Sequence, residues 1–306
     1  MAAGLPTACS RSEDDGDGKP VTIKHLFGET GIEAAPTRVV SAGYTEQDDL
    51  LALGVVPVAV TSWFGDQPFA VWPWAQPQLG AAKPVVLNLD NGIEVDRIAA
   101  CKPDLIVAIN AGVDVDTYAR LSQIAPTVPQ TGADAFFEPW KDQATTIGRA
   151  VFAADQMRTL IDGVDEQFTA VADRFPQLAG RTVLLLDGRL SAGDVVATRS
   201  GWQTDFLTQL GLVIAGNRVE EFGANGRAVI PRDRLRPVLD GIDVLIWTTD
   251  SDAEQGALRA DPDLAALTAR QVFTTGEQAG AIAFASPLSY PLVADQLPPL
   301  IVDALR

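Results

Sequence analysis

Short β-branched runs alternate with amphipathic, helix-length runs over most of this chain of 306 residues, and that alternation limits the possible folds more than any other feature. Arg38–Ser41, Val55–Val60, Leu105–Ile109 and Pro126–Val128 read as strands, each a compact apolar run bounded by turn residues. Thr45–Leu53, Ile93–Ala100 and Thr117–Ile124 read as the helices between them. Strands joined through helices pair in parallel, with the helices packed on the faces of the sheet. Thr45 is placed to cap the first helix, Asp48 falls at the capping-box position, and Gly54 ends it. Upstream, Val21, Ile23 and His25 alternate with Thr22 and Lys24, as in a half-buried strand.

The pattern then changes. Trp140–Arg174 has no proline, and its apolar residues recur at three- and four-residue spacings. That spacing predicts a long helix over Ala154–Arg174, stopped by Pro176. A second α/β run follows, with strands expected at Thr182–Leu186, Val195–Thr198, Val244–Trp247 and Val272–Thr274. Thr204–Leu210 and Pro231–Leu239 are expected to be helical. So is Leu288–Leu305, interrupted at Pro291 and at Pro298-Pro299. The expected architecture is therefore α/β, two Rossmann-like lobes joined by a single long backbone helix. Residues 1–20 form a polar tether, 21–150 the first lobe, 151–175 the linking helix and 176–306 the second lobe.

Charge and histidine content narrow the function. The net charge of −17 is the wrong sign for a nucleic-acid partner, and no basic patch suits an anionic membrane. A single histidine, His25, makes a first-row metal site or a Ser-His-Asp triad unexpected. No G-x-S-x-G, Walker loop, strand-borne G-x-G-x-x-G or C-x-x-C is present, so no catalytic residues are assigned and an enzyme is not expected.

The segment Trp63–Trp74, WFGDQPFAVWPW, holds three of the six tryptophans together with Phe64 and Phe69. It leaves the carboxyl end of an expected parallel strand, where ligands of open α/β sheets bind. A proline-broken loop either packs such residues into a local cluster or offers them to a ligand, and its place favours at least one of them facing a ligand. Trp63, Trp72 and Trp74 are the candidates there, with Tyr44 after the preceding strand. In the second half, Arg189, Arg199 and Trp202 flank the strand Val195–Thr198, a pairing suited to an anionic or delocalised ligand.

Three stretches carry a family resemblance: RVVSAGYTEQDDLLALGVVPVAVT, IEVDRIAACKPDLIVAINAG, and the long helix with a second α/β half behind it. Together they resemble the class III substrate-binding proteins of ABC importers. WFGDQPFAVWPW narrows this to the iron-siderophore (FecB/FhuD-like) family, and within it to mycobacterial FecB-type lipoproteins. Cys101 stands where leucine is usual, which suggests a buried, inert thiol.

The resemblance implies a monomeric extracytoplasmic receptor that holds a ferric siderophore between two lobes, with little hinge closure, and delivers it to an ABC permease. No cofactor is implied. Haem is a second implied ligand, with Tyr44, Tyr118, Tyr290 and His25 as the residues able to bind its iron, Tyr44 and Tyr290 being the chosen candidates; His25, on the first expected strand, lies away from the strand-end loops. Permease docking is implied at Asp96 and Asp233, aspartates where the family usually has glutamates. Cys9, after Leu5-Pro6-Thr7-Ala8, resembles the end of a lipobox and is the expected lipidation site. Residues 1–8 lack a cationic segment and a long apolar run, so an upstream signal region is expected to be missing from the sequence.

Overall fold

A computed structural model describes residues 19–133, 136–224 and 226–306. Cys9 and most of the expected tether lie outside the described residues. A hairpin, β1 (Val21–His25) and β2 (Gly28–Ile32), opens the described chain. Its inward positions Val21, Ile23 and His25 are buried and the intervening ones exposed, as the alternation requires.

The first lobe is a five-stranded sheet formed by β3 (Val39–Ser41), β4 (Ala59–Thr61), β5 (Val85–Leu87), β6 (Leu105–Ala108) and β7 (Thr127–Pro129). Every pairing is parallel and the spatial order is β5-β4-β3-β6-β7. The reversal of direction beside β3 puts the loops after β3, β4 and β6 around one crevice at the strands' carboxyl ends. Its helices are α1 (Glu46–Ala52), α2 (Gln76–Leu79), α3 (Val95–Ala100) and α4 (Val115–Ser122). The strand expected at Val55–Val60 starts only at Ala59, because Val55 turns back to donate its N–H to Leu50 O and pack under α1.

Two helices, not one, fill the proline-free stretch: α5 (Trp140–Ala150) and α6 (Ala154–Arg174). They are separated at Phe152, whose φ of 61° lies in the left-handed region. The boundaries of α6 match the expected long helix. Met157, Val164, Phe168 and Val171 form its buried stripe.

The second lobe adds β8 (Thr182–Asp187), β9 (Val195–Thr198), β10 (Val213–Ile214), β11 (Gly223–Ala224), β12 (Arg227–Ile230), β13 (Val244–Thr248) and β14 (Arg270–Phe273). Their order is β11-β12-β9-β8-β13-β14, with β10 also on β8. The sheet is mixed: β8, β13 and β14 are parallel, while β9 and β12 run antiparallel to their neighbours. Its helices are α7 (Asp205–Gln209), α8 (Leu235–Leu239), α9 (Asp252–Ala260), α10 (Pro262–Ala265), α11 (Gly276–Phe284) and α12 (Tyr290–Leu305).

The helix expected at Pro231–Leu239 is a 3-10 turn, Arg232–Arg234, followed by α8. The prolines do not interrupt α12. Pro291 sits in its first turn, where no intrahelical N–H is required, and Pro298-Pro299 are accommodated within it.

One apolar cluster joins the lobes. It runs from Val39 and Leu105 through Met157 and Phe168 of α6 to Val183, Phe206 and Ile301. Relative movement of the lobes would have to break this shared core, so the packing favours a fixed cleft.

Candidate binding cleft

A cavity of about 460 Å³ opens between the lobes, and its two walls have different chemistry. Trp63 and Phe64, just beyond β4, and Phe137, beyond β7, form the first-lobe wall. Trp63 meets Phe64 edge-on at 4.7 Å and Phe137 at 5.1 Å. Behind them Tyr44, beyond β3, stacks on Trp63 at 5.4 Å and on Phe136 at 5.9 Å. Burial and nearby Asp90 push the Tyr44 hydroxyl above its ordinary pKa, so it stays protonated.

Of the remainder of WFGDQPFAVWPW, Val71 and Trp72 turn inward and Trp74 partly so, while Gly65, Asp66, Pro68 and Pro73 stay exposed. Trp72 is buried and lies flat on Trp74, with ring centres 5.0 Å apart and planes 7° from parallel. Gly65 and Gly280 close on the Trp72 ring from opposite lobes, and a Cβ at either would come within 2.7 Å of it. Phe284 of α11 contacts Trp63, Phe64, Trp72 and Trp74. Trp74 Nε1 donates to Asp48 Oδ2 at 2.7 Å. Trp72 and Trp74 thus form an inter-lobe wedge, a correction to their expected place in the ligand site. Packing Trp72, which is buried, and Trp74, which is partly buried, against Phe284 of α11 removes more apolar surface from water than exposing them would.

Charged groups on the second-lobe wall come from strand ends and from α9. Arg189 reaches Asp250 through Nη2 and Glu254 through Nε, both at 2.5 Å. Arg227, at the start of β12, binds Asp187 at the end of β8, at 2.8 Å. Burial raises the Asp187 pKa, opposed by the Arg227 charge. Trp202 and Gln203 close one side, while Ala279, Ile282 and Ala283 of α11 form an apolar floor.

Other expected site residues lie elsewhere. Tyr290 is fully buried, edge-on to Trp140 and Phe168 and tilted against Phe206, with its hydroxyl pKa raised by burial. It belongs to the shared core and cannot reach the cleft, which corrects its assignment as ligand contact and haem-iron candidate. Tyr290 is the first residue of α12, inside the segment expected to be helical, and the helix turns its ring into the core. The Arg199 side chain runs against Gly223 and does not line the cavity.

His25 and Tyr118 form a satisfied polar cluster with Thr30. Thr30 donates to Thr127 O, so His25 Nε2 donates to Thr30 while Nδ1 accepts the Phe27 N–H, fixing a neutral tautomer. Cys101 is half-buried at the end of α3, and its Sγ contacts Arg97 O at 3.3 Å. Asp96 and Asp233 are exposed, in the first turn of α3 and in the 3-10 turn before α8.

Behind the aromatic wall, α1 buries three carboxyls. Thr45 precedes the helix without capping it; its hydroxyl bonds to Asn110 and Gln143 instead. Asp48, expected in a capping box, accepts from Trp74 and from Ser286 Oγ of the second lobe at 2.8 Å. Burial pushes Glu46 up to about 7 and Asp48 up to about 6, and lifts Asp49 as well. One oxygen of Asp48 and one of Asp49 lack a hydrogen-bond partner among the described residues.

Sequence reasoning missed Phe137, Asp187, Arg227, Asp250 and Glu254. Asp187 and Asp250 directly follow the apolar runs TVLLL and VLIWTT, so the strand-end rule that singled out the tryptophan loop could also have found them. Among the described residues no group of three His, Cys, Asp or Glu could hold a metal ion. No helix among them is long and apolar enough to cross a membrane.

Two α/β lobes sharing one apolar core beside an aromatic, partly charged cleft suit a solute-binding protein. The chain belongs to the periplasmic binding protein family, whose model matches residues 39–279. It is similar to a periplasmic solute binding protein from Mycobacterium smegmatis, with 61% identity and a TM-score of 0.89 over 95% of this chain and all of that one. It is 31% identical to the probable siderophore-binding lipoprotein YfiY of Bacillus subtilis, over 72% of this chain and 67% of the relative. The fold also matches the iron uptake ABC transporter substrate-binding protein PiaA of Streptococcus pneumoniae. There the TM-score is 0.75 at 22% identity, over 93% of this chain and 99% of that one.

Proposed function

We propose that this protein captures a ferric siderophore in the inter-lobe cleft and delivers it to the permease of an ABC importer for iron uptake. The observation that carries this reading is the aromatic wall of Trp63, Phe64 and Phe137 facing hydrogen-bonding groups across the inter-lobe cavity. Iron arrives already coordinated by the chelator, so the protein supplies shape, stacking and polar contacts and no iron ligand. The name of the Bacillus subtilis relative, a siderophore-binding lipoprotein, supports the same ligand class. Solute capture without turnover fits the absence of a catalytic motif from the sequence. The protein acts as a monomer outside the cytoplasm, held by lipid on Cys9. Asp96 on one lobe and Asp233 on the other offer carboxylates to the permease.

The test is a titration with ferric and iron-free mycobactin-type siderophore, and with haemin, following tryptophan fluorescence in the parent and in Trp63→Ala. Saturable quenching by the ferric chelate, weakened in the variant, is the expected result. Saturation by haemin alone moves the reading to a haem carrier, with Tyr44 as the tyrosine to substitute. No saturable binding overturns the iron assignment and leaves the fold untouched.

A further inference from the structure

Both arginines of the cleft already have partners. The fork of Arg189 is divided between Asp250 and Glu254, and Arg227 is turned onto Asp187. Glu254 is fixed in turn, accepting the Asp250 backbone N–H at 2.9 Å. Among the described residues these five groups are the charged side chains that line the cavity, because the first-lobe wall those residues form is aromatic. Two positive charges against three negative ones leave the wall with one net negative charge. Around it the whole chain carries −17.

A ligand settling into the cleft removes water from this wall, which strengthens every charge interaction there. A neutral chelate leaves the arginine–carboxylate pairs intact. An anionic chelate either meets a net negative wall or pulls an arginine away and strands its carboxylate without a partner, and both are unfavourable.

Resting on the ferric-chelate reading above, we infer that the cleft selects chelates of zero or positive overall charge, with Asp187, Asp250 and Glu254 setting that selection. Three hydroxamates each lose one proton and together balance ferric iron, giving a neutral complex, or a cationic one where the chelator bears a free amine. Three catecholates lose six protons and leave a trianion. The aromatic wall is indifferent to this difference, since the π-faces of Trp63, Phe64 and Phe137 accept flat or apolar chelator arms of either kind. Discrimination therefore falls to the opposite wall.

The experiment is equilibrium dialysis of the purified protein against radio-iron complexes of ferrichrome (neutral), ferrioxamine B (cationic) and enterobactin (trianionic). The neutral and cationic complexes are expected to bind at least about tenfold more tightly than the trianion. In Asp250→Asn/Glu254→Gln the wall loses two negative charges and Arg189 is released. The ratio of trianion affinity to neutral-chelate affinity is then expected to rise by at least about fivefold. A second readout needs no variant: in the parent protein the gap is expected to narrow between about 50 mM and 500 mM salt, as screening shortens the reach of the repulsion. A trianion that binds as tightly as the neutral complex overturns the charge inference while the ferric-chelate reading stands. Failure of all three complexes to saturate overturns both.

Discussion

The two walls of the cleft are built by opposite means. The first-lobe wall gathers side chains from loops at the carboxyl ends of parallel strands, and its members hold one another by ring contacts. The second-lobe wall is a set of ion pairs whose partners stand far apart in sequence: Arg189 with Glu254, and Arg227 with Asp187. An aromatic wall gains affinity through buried area and tolerates many shapes. A wall of paired charges adds little affinity and rejects the wrong charge. The two meet at the wedge of Trp72, Trp74 and Phe284, which packs between the lobes outside the cavity lining.

That contrast can be broken at its join first. Trp72→Ala removes an indole packed between Gly65 and Gly280 and is expected to cost about 3–5 kcal/mol of stability, measured by urea unfolding. A loss below about 1 kcal/mol would mean that the lobes do not depend on the wedge.

The buried carboxyls behind the aromatic wall give the next effect. Glu46 and Asp48 titrate near 7 and 6 when folded, above their unfolded values, so between about pH 4 and 7 the folded state binds more protons than the unfolded chain. Stability therefore falls as pH rises through that window, by about 4 kcal/mol between pH 5 and 7.5. Unfolding at the two pH values checks this, and Asp49→Asn should flatten the dependence. A stability that instead rises with pH would show these carboxyls to be better solvated than their burial implies.

Trp63→Ala sharpens the contrast from the aromatic side. Ferric-chelate affinity should fall by about tenfold or more, roughly 1.5–2 kcal/mol, with a smaller loss of stability than at Trp72. The smallest effect belongs to the charged wall. Arg189 is 77% exposed in its side chain, and Arg189→Gln should shift stability by less than about 1 kcal/mol by thermal unfolding. A larger shift would mean that its ion pairs hold the second lobe together and do not merely set the charge of the cleft.

Much of the frame is written in local pattern. Ala154–Arg174 is legible because a helix must place its apolar residues three and four apart to bury one stripe, and Met157, Val164, Phe168 and Val171 do so. Thr182–Leu186 and Val195–Thr198 are legible because fully buried strands are continuous apolar runs. Local pattern misleads where a residue's partner is distant. Asp48 has the spacing of a capping box, yet its bonds go to Trp74 and to Ser286 across the lobe boundary.

By itself, then, the sequence determined the α/β class, the long helix between two lobes, and the strand-end loop rich in aromatic residues. Each follows from chain-local periodicity and turn chemistry. Only the tertiary structure decided which aromatics face the cleft, that Tyr290 lies in the core, and that both cleft arginines are already paired. Those outcomes depend on which distant surfaces meet, because the burial of a side chain is a property of its neighbours in space and not of its neighbours in the chain.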